Sequence, residues 1–105
     1  MIARALTRAE VAACLVDAQA EILELGVRRL ALFGSVQRDT ARADSDVDVL
    51  VEFQPGQKTY DHFVALGDLL ERVLSRPVEL VTAESLSPFL KPHILAEAKD
   101  VVRAA

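Results

Sequence analysis

Hydrophobic residues recur three or four positions apart in two long stretches of the chain, which is the spacing of one face of an α-helix. The first stretch is preceded by Thr7 and Glu10 at capping-box spacing and followed by Gly26, so the pattern predicts a helix over residues 8–25. The second stretch predicts another long helix over residues 59–74. The apolar positions of the two stretches are Val11, Leu15, Ala18, Ile22, Leu25, Phe63, Leu66, Leu69, Leu70, Val73 and Leu74.

Shorter apolar runs predict three strands, at residues 27–33, 45–53 and 78–81. The first run ends at Gly34-Ser35 and the second before Pro55-Gly56, and both pairs are turn signals. Strands among helices predict an α/β or α+β fold, with a small mixed β-sheet flanked by helices. The pattern does not determine in which direction the first two strands pair.

Serine and proline residues mark the ends of the remaining elements. We expect Ser35 to cap a short helix after the first strand and Ser87-Pro88 to begin the last helix, which Pro92 restarts or bends. We expect Val101-Val102 to dock as an extended tail.

The length and charge of the chain restrict its function. At 105 residues it is predicted to be a single domain, 1–105, too short to include a separate domain that selects a large substrate. Sixteen acidic against twelve basic residues give a net charge of −4, which argues against direct nucleic acid binding. One cysteine, Cys14, excludes an internal disulfide, and no stretch has the roughly 20 apolar residues of a membrane span. We therefore expect a soluble cytoplasmic protein without membrane association.

Two aspartates on the second predicted strand form the candidate metal site. Side chains two positions apart share a face of a strand, so Asp46 and Asp48 project together while Val47, Val49 and Val51 occupy the opposite, packed face. Neighbouring like charges are unfavourable unless a cation lies between them, and carboxylate oxygens suit Mg²⁺. The pair therefore predicts a magnesium site.

The turn at Gly34-Ser35 is the candidate phosphate site. A glycine permits close backbone approach, and amides beside a hydroxyl can cradle a phosphate, although a plain strand-to-helix turn has the same pattern. Residues 34–41, GSVQRDTA, lack the second glycine and lysine of a P-loop and the three glycines of a dinucleotide fold. Residues 44–55 do not form a calcium loop, since Val49 replaces its central glycine and Pro55 its closing glutamate.

Three further charged residues are candidates for the chemistry. Glu79 is the single charge of the third strand; it could bind a second metal, take a proton from an attacking hydroxyl, or face solvent, and its position alone leaves these roles open. Arg38 and Arg42 follow the glycine turn, where a guanidinium could donate forked hydrogen bonds to phosphate. We favour Arg38 because it lies about one turn into the short helix.

The order Gly34-Ser35, ten intervening residues, then Asp46-Val47-Asp48 resembles the signature of the DNA polymerase β superfamily of nucleotidyltransferases. The short chain resembles the minimal branch of that superfamily, the MNT proteins, and the segments GSVQR, SDVDVLVEF and PVELVTAESL extend the resemblance over nearly the whole chain. The resemblance implies a nucleotidyltransferase fold and Mg²⁺-dependent transfer of AMP from ATP to a hydroxyl, with release of pyrophosphate. Many minimal members are antitoxins encoded beside a HEPN ribonuclease toxin, which some of them silence by adenylylating a tyrosine.

Carried over by position, the resemblance assigns roles to individual residues. It implies that Gly34-Ser35 hold the triphosphate of ATP, that Asp46 and Asp48 bind the metal, and that Glu79 occupies the third acidic position of the catalytic site. Magnesium and ATP would be the cofactor and the substrate, and a HEPN toxin would be the partner protein.

The chain departs from the family pattern at two positions. The third acidic residue is commonly aspartate, and Glu79 is longer by one methylene, which shifts its carboxylate. The residue after Arg38 is commonly glycine, and Asp39 at this position is expected to bring a negative charge near the phosphates.

Two other functions remain open at this point. The chain could be a non-catalytic module that neutralises a HEPN partner by covering it, with Glu79 reflecting lost catalysis. It could also adenylylate a small molecule such as an antibiotic. Mg²⁺-dependent stabilisation by ATP separates a catalyst from a pure binder, and activity without a protein acceptor would indicate the small-molecule enzyme.

Overall fold

The computed structural model describes residues 4–105, so residues 1–3 of the predicted domain lie outside the described part of the chain. In chain order its elements are α1 (Arg8–Asp17), α2 (Gln19–Glu24), β1 (Val27–Phe33), α3 (Gly34–Gln37), β2 (Val47–Phe53), α4 (Tyr60–Leu74), β3 (Val78–Thr82), a 3-10 helix (Ala83–Ser85), α5 (Lys91–Glu97) and β4 (Lys99–Arg103). No helix in this range has both the length and the apolar character needed to cross a bilayer.

The described residues form a four-stranded mixed sheet with the strand order β3-β2-β1-β4. Strand β1 pairs antiparallel with β2 and with β4, whereas β2 pairs parallel with β3. The parallel pair requires a long crossover connection, which α4 provides. The predicted fold class, a small mixed sheet flanked by helices, is confirmed.

The larger core lies on the face of the sheet that α1, α2 and α4 cover. The valines that alternate along β2 point into this core, and the predicted helical stripes meet them there. Thr59 caps α4 by accepting a hydrogen bond from the backbone N–H of His62 at 3.1 Å. Fully buried members of this core are Val11, Leu15, Ile22, Leu30, Leu32, Val49, Leu66 and Leu70.

The opposite face of the sheet has a smaller cluster. Ala31, Phe33 and Leu50 are buried there, and Ile94 of α5 and Ala98 pack against them. Leu50 shares a face of β2 with Asp48, so the predicted alternation along this strand is confirmed. This face is the one on which the candidate site opens.

The helix predicted over residues 8–25 is two helices that meet at Ala18. The backbone at Ala18 has φ −96° and ψ 9°, and its N–H is shared between the carbonyls of Cys14 and Val16. Neither a proline nor a glycine marks the break, so the spacing of apolar residues could not reveal it. Leu15 before the break and Ile22 after it enter the same core.

Two predictions at the start of α3 and β2 are wrong. Ser35 does not cap α3, because it lies inside that helix and Phe33, which makes no side-chain cap bond, is the N-cap residue. Strand β2 begins at Val47 instead of Ser45, because the Ser45 hydroxyl accepts a hydrogen bond from the Arg42 N–H in the preceding loop at 2.8 Å. Asp46 therefore lies immediately before the strand.

The last helix begins later than predicted. Ser87 caps a separate turn by accepting from the Leu90 N–H at 3.3 Å, and α5 starts only at Lys91. Pro92 lies in the first turn of α5, where its missing N–H has no intrahelical partner to lose. The predicted docking of Val101-Val102 is confirmed as strand β4, in which Val102 pairs with Leu30.

Candidate active site

The pairing of the three central strands brings the predicted acidic residues and the glycine turn together. Phe33, the last residue of β1, pairs with Asp48 near the start of β2, and Asp48 pairs with Glu79 near the start of β3. Because β1 runs opposite to the other two strands, its carboxyl end meets their amino ends. Gly34 follows Phe33 directly, so the turn and two of the three carboxylates occupy adjacent positions at one edge of the sheet.

Gly34 and Asp48 are in direct contact. The backbone of Gly34 has φ +74°, a conformation that side chains disfavour. A Cβ added to Gly34 would lie 2.0 Å from Oδ2 and 2.8 Å from Cγ of Asp48, well inside van der Waals contact. Both the conformation and the space therefore require glycine at this position.

Burial and the neighbouring carboxylates raise the pKa of Asp48. Partial burial, a hydrogen bond with Glu79, and the negative charges of Glu79 and Asp46 raise the pKa of Asp48 from 3.8 to about 6, while Arg38 acts in the opposite direction. Asp46 and Glu79 are exposed and Asp48 is half-buried. The site thus concentrates negative charge that its own cation offsets only in part.

The donor chemistry of these residues fits Mg²⁺. Asp46, Asp48 and Glu79 offer only carboxylate oxygens, and their mutual repulsion is what a bound divalent cation would relieve. As placed, no three His, Cys, Asp or Glu side chains within residues 4–105 converge on one position for a metal ion. The role of the three carboxylates as metal ligands therefore stays a prediction.

Arg38 and the amide of Gly34 share an unexpected partner, Glu97. The Gly34 N–H donates to Oε2 of Glu97 at 3.2 Å, and Nη1 of Arg38 lies 2.5 Å from Oε1 of the same carboxylate. Glu97 ends α5 and is separated from these residues by about sixty positions, so no local pattern in the sequence could have found it.

The remaining predicted residues lie around this contact. Ser35 is half-buried in α3 next to Gly34, and its carbonyl accepts from the Thr40 N–H at 2.9 Å. Arg42 is exposed in the loop before β2, where its backbone N–H bonds to Ser45. The nucleotide-binding roles of Ser35 and Arg38 remain predictions, as does the weaker suggestion for Arg42.

Asp39 occupies the position that is commonly glycine in the family, and the structure shows what its side chain contacts. Its backbone has φ +56°, the left-handed region in which glycine is the usual residue. Its carboxylate faces α1: Oδ1 accepts from the Arg8 N–H at 2.8 Å, and Oδ2 lies 3.9 Å from Nη2 of Arg8. The charge that was expected near the phosphates is therefore paired with Arg8 at the start of a different helix.

Two substitutions of Asp39 should distinguish the effect of backbone strain on stability from the effect of the hydrogen bond to Arg8. We expect Asp39→Ala to lower the free energy of unfolding by about 2 kcal/mol, because it loses the bond to Arg8 and keeps the left-handed backbone. Asp39→Gly loses the same bond but relieves the strain, so its loss should be about 1 kcal/mol or less. Urea denaturation measures both variants; equal losses would contradict the assignment of strain to this position.

Comparison with known proteins identifies the family of the chain. Residues 16–101 match the family model described as the nucleotidyltransferase domain. Protein MJ0435 of Methanocaldococcus jannaschii, provisionally named a protein adenylyltransferase, is 43% identical over 81 residues, which are 77% of this chain and 86% of that protein. Protein adenylyltransferase MntA of Thermococcus cleftensis is 37% identical over 93 residues, covering 88% of this chain and 93% of the relative.

Solved structures show the same fold. A structure provisionally described as a minimal nucleotidyltransferase superposes with a TM-score of 0.78 and 33% identity, over 90% of this chain and 95% of that chain. A toxin-antitoxin complex with AMP-PNP gives a TM-score of 0.64 at 22% identity, over 94% of this chain and 75% of that one. The complex of the tri-AMPylated Shewanella oneidensis HEPN toxin with MNT antitoxin gives a TM-score of 0.64 at 17% identity, over 93% of this chain and 74% of that one. At these two lower identities the likeness concerns the fold alone.

A mixed sheet with a glycine turn facing paired carboxylates, together with the matching family model, defines the class: the chain belongs to the nucleotidyltransferase family of enzymes. Within this class it is similar to the minimal nucleotidyltransferases and to protein adenylyltransferases of the MntA type.

Proposed function

We propose that this protein transfers AMP from ATP to a hydroxyl group in a reaction that depends on Mg²⁺. The observation that carries the proposal is the meeting of Gly34, Asp48 and Glu79 in adjacent strand register, with the Gly34 backbone in contact with the Asp48 carboxylate. A phosphate-binding turn and carboxylates for a divalent cation are the two parts that nucleotidyl transfer requires, because this chemistry depends on positioning and on neutralising charge.

In this reaction the acceptor oxygen bonds to the α-phosphorus of ATP as the bond from that phosphorus to the bridging oxygen of the β-phosphate breaks. Pyrophosphate leaves, and the hydroxyl proton passes to a carboxylate, for which we propose the exposed Glu79. Asp46, Asp48 and Glu79 would hold the metal. Mg²⁺, when bound, neutralises charge on the attacking and leaving oxygens.

The triphosphate would lie at the turn. The backbone of Gly34 contacts Asp48, Ser35 follows Gly34, and Arg38 is the predicted cation whose charge acts on Asp48. An amide and a guanidinium are donors that suit phosphate oxygens. We therefore propose Gly34, Ser35 and Arg38 as the nucleotide-binding residues.

We propose a tyrosine of a HEPN toxin as the acceptor, with this protein acting as the antitoxin. Two considerations support this choice: the relatives are named protein adenylyltransferases, and a chain of similar fold occurs in a complex of an AMPylated HEPN toxin with an MNT antitoxin. Because the proposed substrate is ATP, we propose that the reaction takes place in the cytoplasm.

The test is transfer of label from ATP carrying ³²P at the α-phosphate to a HEPN protein encoded beside this chain. We expect labelled toxin only when Mg²⁺ is present, with the AMP on tyrosine by mass spectrometry. Asp46→Asn should reduce the labelling rate by at least about 100-fold, because it removes one carboxylate from the proposed metal site. Asp44→Asn, which makes the same charge change in the exposed loop, serves as the control.

The outcome also separates the competing functions. A non-catalytic binder would transfer no label, and ATP with Mg²⁺ would not stabilise it. Its Asp46→Asn variant would still neutralise the toxin. These three results together would contradict the proposed enzyme. Transfer to a small molecule without any protein acceptor would replace the antitoxin with a small-molecule enzyme.

A further inference from the structure

The carboxylate of Glu97 occupies the donors that the proposed function assigns to a phosphate. Both of its oxygens are used: Oε2 accepts from the Gly34 N–H at 3.2 Å, and Oε1 lies 2.5 Å from Nη1 of Arg38. The Glu97 side chain is only 25% exposed, so its carboxylate is packed against these two donors and is largely shielded from solvent. Nothing in the proposed reaction uses it.

A carboxylate and a phosphate group are both anions that accept hydrogen bonds through two or more oxygens. A backbone N–H has a single hydrogen to donate, and the short contact orients Nη1 of Arg38 towards Glu97. A triphosphate that accepted from the same two donors would also bring its negative charge against the Glu97 carboxylate. The two anions therefore exclude each other at this position.

We propose that Glu97 is an internal competitor of ATP, which holds Gly34 and Arg38 in the nucleotide-free protein and turns away when the triphosphate binds. This inference rests on the proposed function, since it takes the triphosphate to lie at Gly34 and Arg38. Glu97 thereby sets the concentration of ATP at which the site fills.

The attachment of Glu97 permits this movement. Helix α5 has seven residues, none of them buried, and Glu97 is its last residue. The contacts of this segment with the small cluster of Ala31, Phe33 and Leu50 are made by Ile94 and Ala98 and do not involve Glu97. Turning the Glu97 side chain outward breaks two polar contacts and leaves that cluster in place.

The competition predicts that removing Glu97 tightens nucleotide binding. An ion pair with one partner more than half exposed is weak, so we expect E97Q and E97A to bind ATP with Mg²⁺ about three- to tenfold more tightly than wild type. The two Glu97 variants should gain the same affinity for tripolyphosphate, because Gly34 and Arg38 are proposed to bind the phosphates. Their affinity for adenosine should not change. Isothermal titration measures each constant.

The matched control is E84Q. Glu84 also pairs with one cation, Lys58, at 3.1 Å, and it lies in the 3-10 helix beyond the far end of β3. Loss of one negative charge from the protein is common to E84Q and E97Q, so a gain in both would be a general charge effect. A gain that is confined to the two Glu97 variants supports competition. Thermal melting of all variants shows that each is folded.

The remaining outcomes overturn the inference in two distinguishable ways. If wild type binds ATP and the Glu97 variants bind it equally or more weakly, then Glu97 does not compete, and a weaker affinity would make it a residue that positions Arg38. If neither wild type nor any variant binds ATP or tripolyphosphate, the proposed function fails, and the competition fails with it.

Discussion

Asp48→Asn should lower the rate of AMP transfer by at least about 1000-fold and should also make the free protein more stable. The loss of rate follows from the position of Asp48, which is paired in register with Glu79 and touches the glycine turn. An amide supplies neither the negative charge nor the second acceptor oxygen that a divalent cation needs, and several kcal/mol of transition-state stabilisation correspond to about three powers of ten in rate.

The gain in stability follows from the raised pKa of Asp48. The folded protein holds this proton up to about pH 6, whereas the unfolded chain releases it near the ordinary pKa of 3.8. The folded state therefore binds more protons between these values, and the wild-type free energy of unfolding falls as the pH rises from about 4 to about 6. Asparagine resembles the protonated side chain at every pH, so the variant lacks this fall.

We expect Asp48→Asn to exceed wild type by about 1 kcal/mol at pH 7.5, a modest value because the carboxylate is partly screened by solvent, and to raise the melting temperature by roughly 4–8 °C. The difference should close as the pH is lowered to 4. Asp68→Asn is the control, since it makes the same substitution on the exposed side of α4. Thermal denaturation without metal at both pH values decides the matter: a variant that is less stable than wild type at pH 7.5 would contradict the repulsion at this site.

Gly34→Ala should disable the site and destabilise the protein together. The added methyl group would lie 2.0 Å from Oδ2 of Asp48, and alanine would have to adopt a φ of +74°. Backbone strain should cost about 1 kcal/mol and the overlap about 1–3 kcal/mol, so the free energy of unfolding should fall by about 2–4 kcal/mol. Transfer should fall by at least about 100-fold, because the Asp48 carboxylate must move away from the turn.

Gly56→Ala distinguishes backbone strain from steric overlap as causes of the lost stability. Gly56 has φ +78°, which is nearly the conformation of Gly34, but an added Cβ would meet nothing within 4 Å. This control should therefore lose about 1 kcal/mol from backbone strain alone and keep its activity. In Gly34→Ala combined with Asp48→Ala, stability should largely return without activity. If the two glycine variants lose the same stability in urea denaturation, the contact between Gly34 and Asp48 is not a tight one.

Local patterns predicted most elements of the fold because each depends on residues close together in the chain. The helical stripe that ends at Leu74, the run that stops at Gly34 and the alternation around Val49 all describe which side of an element is buried. Two of the errors occurred where a single side chain competes with the backbone. The Ser45 hydroxyl delayed the start of β2, and Ser87 capped a turn instead of α5.

Candidate residues for the site could also be chosen from the sequence, since Asp46, Asp48 and Gly34 lie at a spacing typical of a known family. The resemblance to nucleotidyltransferases is confirmed at the level of the family. The individual roles of these residues remain predictions. The type of a residue shows which of its atoms can bind a metal or a phosphate. It does not show whether another part of the chain already binds those atoms.

By itself, the sequence determined the approximate positions of β1, β2, β3 and the long helical stretches, which faces are apolar, and which residues can offer oxygen ligands or phosphate donors. Only the tertiary structure decided that β1 runs opposite to its neighbours, so that Gly34 touches Asp48, and that Asp39 turns to Arg8 while Glu97 reaches Gly34 and Arg38. The physical reason is range. Helical and strand periodicity arise between residues a few positions apart, whereas these contacts join segments separated by fourteen to sixty-three positions and exist only after the sheet has assembled.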